Sequence, residues 1–260
     1  AHRNSQFHQA CRHGHVQIAT KFLEEGAAIE TRDQYQCTAL HLAAMEGHTV
    51  VVEMLLAAGA DKEPREKYQY TPLHLAAAGG HAATSTRHCI LQQMEDMNQW
   101  CRCYLMLGLT WSSGITSSAQ PCTLQLLKVT GADIELRNND QCSALHLAAF
   151  KGHEAVVQVL LAAGANKEAS RHGDQCTPLH LAADRGHEAA AQVLLAAGAD
   201  KEPREKYQYT PLHLAAAGGH AAVVQVLLDA GADIELRNND QCSALHLAAF
   251  KGHEAVVQVL

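Results

Sequence analysis

The strongest constraint on the fold is a short sequence block that returns along the chain. It reads Thr/Ser-x-Leu-His-Leu-Ala-Ala, and its copies begin at Thr38, Thr71, Ser143, Thr177, Thr210 and Ser243. The common spacing between these starts is 33, but one spacing is 34 and one is 72. A weaker copy, Ser5–Cys11, precedes Thr38 at the common spacing. Such a period predicts a stack of similar units, each of which buries its apolar face against its neighbours.

The long spacing of 72 exceeds the period by 39, and two longer identities locate this insert. Residues 55–83 are identical to residues 194–222, and residues 131–160 are identical to residues 231–260. The offsets are 139 and 100, so the insert lies between Ala83 and Gly131. A block of three units has therefore been duplicated, and one copy is interrupted.

Each unit has the local signals of two short helices and a loop. In residues 177–183, Thr177 is a good N-cap and Pro178 suits the first helical position. Gly186 stands where a left-handed residue ends a helix favourably. A second helix with one apolar face is predicted over residues 188–197. The polar, turn-rich residues 132–141 predict a projecting hairpin.

The Thr-Pro-Leu-His-x-Ala motif at a spacing of 33 resembles the ankyrin repeat. The resemblance covers nearly the whole chain apart from the insert. It implies an all-α solenoid of stacked helix-turn-helix units with projecting β-hairpin loops. We expect one array over residues 1–260, with units that begin near residues 5, 38, 71, 143, 177, 210 and 243. Because an earlier copy of the last unit continues past the equivalent of Leu260, and because no initiating Met is present, we expect a fragment of a longer array with a truncated last unit.

Fourteen of the 18 histidines follow the repeat, seven in the Leu-His position and seven after the inter-helix glycine. The resemblance implies that the first set bonds the Thr/Ser hydroxyl and nearby backbone, and so ties units together. A zinc site needs four converging ligands, whereas equivalent positions in a stack lie about 8–10 Å apart. We therefore predict no metal and no cofactor, although a His-rich metal protein is the alternative.

Four cysteines, Cys37, Cys142, Cys176 and Cys242, directly precede a helix start. Their spacing in a stack is too long for a disulfide, which requires Cα atoms closer than about 7 Å. The total of nine is odd. These observations predict reduced thiols and an intracellular, cytoplasmic location, with the nucleus not excluded.

A charge pattern recurs in the loops, with an acid and a base two positions apart, at Glu30/Arg32, Glu63/Arg65, Glu135/Arg137, Glu202/Arg204 and Glu235/Arg237. Side chains two positions apart in an extended segment face the same way. Stacking is thus expected to alternate acid and base along one face, contributing about 0–1 kcal/mol for each exposed pair. This pattern favours a role in solubility and register over a ligand site.

Composition and motifs exclude several function classes. The net charge of −7 argues against a nucleic-acid binder. No apolar run reaches the roughly 18 residues of a membrane span. The motifs of serine hydrolases, P-loop enzymes, zinc proteases and dinucleotide-binding enzymes are absent. We therefore predict no catalytic residues and no small-molecule substrate.

If stacking explains the constant positions, the positions that vary between units carry function. They are the hairpin tips and the residues before the inter-helix glycine, which the resemblance places on a concave surface that binds partner proteins. The candidates for partner contact are Tyr35, Met45, Glu46, Tyr68, Asp140, Phe150, Lys151, Asp174, Asp184, Arg185, Tyr207, Phe250 and Lys251. The aromatic members favour an interface, since aromatic residues outside a core are enriched at binding hot spots. Ordinary packing between units is the alternative for the same rings.

The function predicted is a non-catalytic interaction scaffold or adaptor. The alternative is a targeting or regulatory arm of a larger enzyme or channel whose catalytic part lies outside this chain. Three hypotheses remain for the insert, residues 84–122. It is a loop with one amphipathic helix, a non-native segment of the coding sequence, or an appendage that binds a partner or a metal.

Overall fold

The computed structural model describes residues 2–80 and 132–260. In these residues the chain forms the first and second helices of successive units. They are α1 (His2–Arg12), α2 (Val16–Glu24), α3 (Ala39–Met45), α4 (Thr49–Ala57), α5 (Pro72–Gly79), α6 (Ala144–Lys151), α7 (Glu154–Ala162), α8 (Pro178–Asp184), α9 (Glu188–Ala196), α10 (Pro211–Gly218), α11 (Ala221–Asp229), α12 (Ala244–Lys251) and α13 (Glu254–Val259). This arrangement confirms the predicted all-α solenoid. Residues 84–122 and every hypothesis about them lie outside the described residues.

The first helices start at a reciprocal cap made by the Thr/Ser and His of the motif. At α10 the Thr210 side chain accepts a bond from the His213 backbone N–H. In return, the Thr210 N–H donates to Nδ1 of His213 at 3.2 Å. Both bonds satisfy donors that a helix start leaves open.

The glycine between the two helices serves the turn and the packing together. Gly186, which follows α8, has φ +73°, a left-handed conformation that favours glycine. A Cβ atom at this position would lie only 2.5 Å from the His220 ring of the next unit. The predicted helix stop is thus confirmed, and the glycine also admits the neighbouring unit.

The core is one continuous apolar layer of alanine, leucine and valine that runs through the stack. In the unit of α8 and α9, for example, Leu179, Ala182 and Leu194 are fully or almost fully buried. The first helices pack more extensively against one another than the second helices do. Small alanine side chains allow this close approach, so the stack is tightest along the row of first helices.

Two sets of histidines tie consecutive units together. In the first set, Nδ1 accepts the cap N–H, so Nε2 carries the proton. His180 Nε2 donates to the Tyr209 carbonyl of the next unit at 3.1 Å. The second set points back along the chain, since His187 Nε2 donates to the Phe150 carbonyl of the preceding unit at 3.0 Å. These bonds confirm the role that the ankyrin resemblance implied for the first set.

The connecting loops are tight hairpins closed by a few bonds. In the loop of residues 199–209, the Glu205 N–H donates to the Tyr209 carbonyl at 3.1 Å and closes the turn. The Glu205 carboxylate accepts the N–H groups of Tyr207 and Tyr209 at 2.7 and 3.0 Å. Because these few bonds do not extend into a ladder, the described residues contain no β-strand.

The acid and base of each loop do not pair with one another, but they do contribute to the register between units, as expected. Glu202 accepts the Asp233 backbone N–H of the next unit at 2.9 Å. Arg204 donates to the Arg237 carbonyl at 3.1 Å. Both side chains therefore bond the neighbouring backbone, and neither forms an ion pair among the described residues. The pattern sets the register between units by hydrogen bonds to the main chain.

Candidate functional site

The hairpin tips form a row in which backbone bonds join one tip to the next. The Lys67 N–H donates to the Tyr35 carbonyl at 3.3 Å, and the Asn139 N–H donates to the Tyr68 carbonyl at 3.1 Å. Further along, the Lys206 N–H donates to the Asp174 carbonyl at 2.9 Å. The tip residues therefore stand in fixed, adjacent places.

The three tip tyrosines project from this row. Tyr35, Tyr68 and Tyr207 are 58%, 55% and 57% exposed. Lys67 Nζ lies 5.6 Å from the centre of the Tyr68 ring, and Lys206 Nζ has the same distance to the Tyr207 ring. Each of these two rings thus offers a broad surface beside a positive charge.

The row is interrupted between Asp140 and Asp174, where the repeat spacing is 34 instead of 33. No backbone bond joins the Asp140 carbonyl to the loop of residues 165–176 in the described chain. His146 also makes no hydrogen bond through its buried Nε2 atom. Among the described residues, the Cys176 carbonyl accepts only the Arg171 N–H, at 3.1 Å, whereas its counterpart Tyr209 accepts both the Glu205 N–H and His180 Nε2. The joint between these two units, where the additional residue lies, therefore lacks two bonds found at other joints, although Arg137 Nη1 donates to the Ser170 carbonyl at 2.7 Å and the Asn166 N–H donates to Glu135 at 2.8 Å across it.

A groove of about 420 Å³ opens at this joint. Its lining comprises Tyr70, Asp140, Cys142, His146, Leu147, Phe150, Arg171, Gly173, Asp174 and Leu181. We name this set the joint groove. It combines two hairpin tips with the end of α6, so three of the predicted contact residues, Asp140, Phe150 and Asp174, meet there.

Arg171 and Asp174 form a closed pair within the joint groove. Arg171 Nε donates to Asp174 Oδ1 at 3.1 Å, and Arg171 Nη2 donates to Asp174 Oδ2. Asp174 also accepts the Cys176 N–H at 3.0 Å. Burial raises the pKa of Asp174, but these donors outweigh burial and hold it below its ordinary value. Asp174 thus shapes its own loop as well as lining the groove.

Phe150 is only half-buried, and Arg185 of the next unit covers part of its ring. The Arg185 guanidinium carbon lies 4.3 Å from the ring centre, and Lys151 Nζ lies 5.8 Å from it. Phe250 occupies the same place in an identical stretch of sequence, yet it is 86% exposed, because none of the described residues packs over it as Arg185 packs over Phe150. Phe150 thus takes part in contacts between units as well as lining the groove.

The other predicted residues near the ends of the first helices are partly engaged. Glu46 pairs with Arg12 of the preceding unit at 3.4 Å, and Asp184 pairs with the adjacent Arg185 at 3.3 Å. Met45 is half-buried at the end of α3, whereas Lys151 and Lys251 are exposed.

Burial favours the neutral forms of three groups in or beside the joint groove, His146, Cys176 and Tyr70. It lowers the pKa of His146 to about 4, although the nearby Cys176 carbonyl opposes the shift. It raises the pKa of the Cys176 thiol to about 12. Burial and the Asp140 charge together raise the pKa of Tyr70. Because protonated thiols are poor nucleophiles and metal ligands, this surface is suited to binding by contact, hydrogen bonds and charge.

Arg171 was not singled out by any motif in the sequence. The signal available was the irregular spacing between Ser143 and Thr177, which marks the one irregular loop among the described units.

No group of three or more His, Cys, Asp or Glu side chains suitable for a metal ion occurs in residues 2–80 and 132–260. Within the same ranges, every helix is too short or too polar to cross a membrane.

Helix pairs that bury their faces against one another and present a row of variable tips define a helical-repeat solenoid. The chain belongs to the ankyrin repeat family, because a family model described as ankyrin repeats (3 copies) matches residues 7–87, 115–205 and 201–260. Ankyrin repeat domains are generally non-catalytic modules that bind other proteins.

Two solved structures are similar to this chain over almost its whole length. The crystal structure of the human ASB11 ankyrin repeat domain has a TM-score of 0.75 and 25% sequence identity, covering 98% of this chain and 97% of that one. The ankyrin repeat domain of Bcl-3, described as a unique member of the IkappaB protein family, has a TM-score of 0.70 and 23% identity, covering 97% of each chain. The second likeness shows the fold alone. A search of curated protein sequences finds no match.

Proposed function

We propose that this chain is a non-catalytic scaffold that binds partner proteins through its hairpin tips and first helices. The observation that carries the proposal is the row of exposed tyrosines, fixed from one unit to the next by backbone bonds. The array over residues 1–260 acts as one binding arm in this proposal. The free thiols of the described cysteines support an intracellular setting.

The mechanism is a pre-ordered surface. Tyr68 and Tyr207 already have their main chains fixed by inter-unit bonds, so binding orders few additional groups. Tyrosine has few rotatable bonds and a large ring, which makes it an effective anchor at an interface. A partner laid along the row would therefore lose little of its binding energy to ordering this chain.

The proposal is tested by replacing Tyr68, Phe150 and Tyr207 together by Ala. We expect the immobilised variant to lose most of the proteins that the unchanged chain captures from a lysate of the source organism, as quantified by mass spectrometry. Single hot-spot side chains contribute about 2 kcal/mol or more, so three losses should abolish capture. Circular dichroism should remain that of a folded helical protein, because Tyr68 and Tyr207 are exposed.

The matched control replaces Gln158, Gln192 and Gln225 by Ala. These side chains are exposed on the second helices, away from the tips. The control variant should capture the same proteins as the unchanged chain. Equal capture by the tyrosine variant and the unchanged chain would reject the proposed surface.

A further inference from the structure

We infer that the joint groove binds a cationic side chain, lysine or arginine, from an extended segment of a partner protein. The inference deepens the proposed function and rests on it, because the groove lies between two tips of the same row. It assigns to the joint groove a preference for positively charged side chains.

Charge favours a cation. The groove is lined by two carboxylates, Asp140 and Asp174, and by one guanidinium, Arg171. Asp174 and Arg171 bond each other, and Arg171 Nη1 also lies 3.9 Å from Cys142 Sγ, so this cation is fully engaged. Asp140 is exposed and forms no ion pair with any described residue. The lining residues therefore carry a net charge of −1, concentrated at Asp140, while Lys151 and the Asp184-paired Arg185 lie beside the Phe150 ring.

The shape of the groove suits the rest of a lysine or arginine side chain. Such side chains lay their apolar stems along apolar surface and keep the charged end at a polar rim. Tyr70, Leu147, Phe150 and Leu181 supply that surface beside Asp140. The Arg185 guanidinium carbon lies 4.3 Å from the centre of the Phe150 ring, so only the part of the ring that Arg185 leaves uncovered is open to a further side chain.

The joint leaves one buried donor at the wall of the groove. The loop of residues 165–176 lacks both the tip-to-tip bond and the imidazole bond that hold other loops to the preceding unit. It is still held by the Arg137 bond to the Ser170 carbonyl at 2.7 Å and by the Lys206 N–H bond to the Asp174 carbonyl at 2.9 Å. The Nε2–H of His146, which has no partner among the described residues, is therefore the donor that the groove offers to a carbonyl oxygen of the bound segment.

A second place in the chain repeats one wall of the joint groove. Tyr209, Asp240, His246 and Phe250 repeat Tyr70, Asp140, His146 and Phe150 in identical local sequence. Among the described residues, none stands opposite this second wall as Arg171 and Asp174 stand opposite Asp140. Asp240 is thus a control for Asp140 that differs in its surroundings alone.

The test is an NMR titration of the ¹⁵N-labelled full chain with acetyl-Gly-Arg-Gly-amide. We expect saturable shifts confined to the joint groove, including the amides of Asp140, Phe150 and Asp174. Asp140→Asn should weaken the binding about threefold to fivefold, the effect of one partly screened ion pair. Asp240→Asn should leave the affinity unchanged.

Three outcomes would overturn the inference: no saturable shift in the groove, equal weakening by D140N and D240N, or tighter binding of acetyl-Gly-Glu-Gly-amide than of the arginine peptide. The last would indicate an anion site beside Lys151 and Arg185.

The tests of the two proposals are separable. If partner capture depends on the tyrosines but the arginine peptide does not bind, only the present inference fails. If the peptide binds but capture is unchanged in the Tyr68/Phe150/Tyr207 variant, the proposed scaffold surface fails, while the preference of the joint groove for a cation stands.

Discussion

A glutamine in each of six described loops adopts a backbone conformation that usually belongs to glycine. The φ angles lie between 58° and 66° at Gln36, Gln69, Gln141, Gln175, Gln208 and Gln241. For a residue with a Cβ atom this left-handed conformation costs about 1–2 kcal/mol. The surrounding hydrogen bonds hold the loops in this conformation despite the cost. Examples are the bonds that the Glu205 carboxylate accepts from the Tyr207 and Tyr209 N–H groups.

Replacing Gln208 by Gly should therefore stabilise the protein. Glycine avoids the left-handed cost but loses about 0.5–1 kcal/mol more backbone entropy on folding, so we expect a net gain of roughly 0.5–1 kcal/mol in the free energy of unfolding. Urea unfolding followed by circular dichroism measures the change. Gln192→Gly, inside helix α9, is the control and should lower stability by about 1 kcal/mol. A loss at position 208 as large as the loss at position 192 would mean that the glutamine conformation is not strained.

At the scale of the element, the helices and their caps could be predicted from the sequence, whereas the joints between loops could not. The Thr-Pro-Leu-His pattern sets the start of a helix by local chemistry, so α8 begins at Pro178 as expected. The Glu–Arg pattern also marks the loops correctly, but its partners are backbone groups of the next unit. A pattern of side chains in the sequence does not indicate which main-chain atoms lie opposite those side chains in the folded stack. For the same reason the sequence marked Asp140 and Asp174 as tips without indicating that a groove separates them.

The loop glutamates allow a direct test of hydrogen bonding against ion pairing. Glu202→Gln keeps an acceptor for the Asp233 N–H, so we expect a change in unfolding free energy of less than about 0.5 kcal/mol. Glu202→Ala removes the acceptor and should cost about 1 kcal/mol. Denaturant unfolding of the two variants under identical conditions gives the comparison. If the Gln variant is destabilised as much as the Ala variant, the charge of Glu202, and not only its acceptor atom, stabilises this bond.

At the scale of the whole molecule, exposure depends on the neighbouring unit as much as on the residue. Residues 131–160 and 231–260 are identical in sequence, yet Leu145 is 1% exposed and Leu245 is 39% exposed. Helices α8 and α9 cover the first copy, and the second copy has no such cover. The sequence alone therefore could not decide whether a phenylalanine at this position serves packing or contact, since Phe150 and Phe250 differ only in whether a further unit packs beside them.

This comparison predicts the effect of covering the exposed face. Appending a copy of residues 161–230 directly after Leu260 reproduces the junction that already exists between Leu160 and Leu161. The added units should bury Leu245 and Val257 and shield part of Phe250, and at about 25 cal/mol per Å² of apolar surface the gain should be at least about 2 kcal/mol. Guanidinium unfolding measures it against a control with a Gly/Ser tail of equal length. Because the appended helices would bring the same contacts that α8 and α9 make with α6 and α7, a gain no larger than that of the Gly/Ser tail would show that contacts between neighbouring units do not determine the stability of this stack.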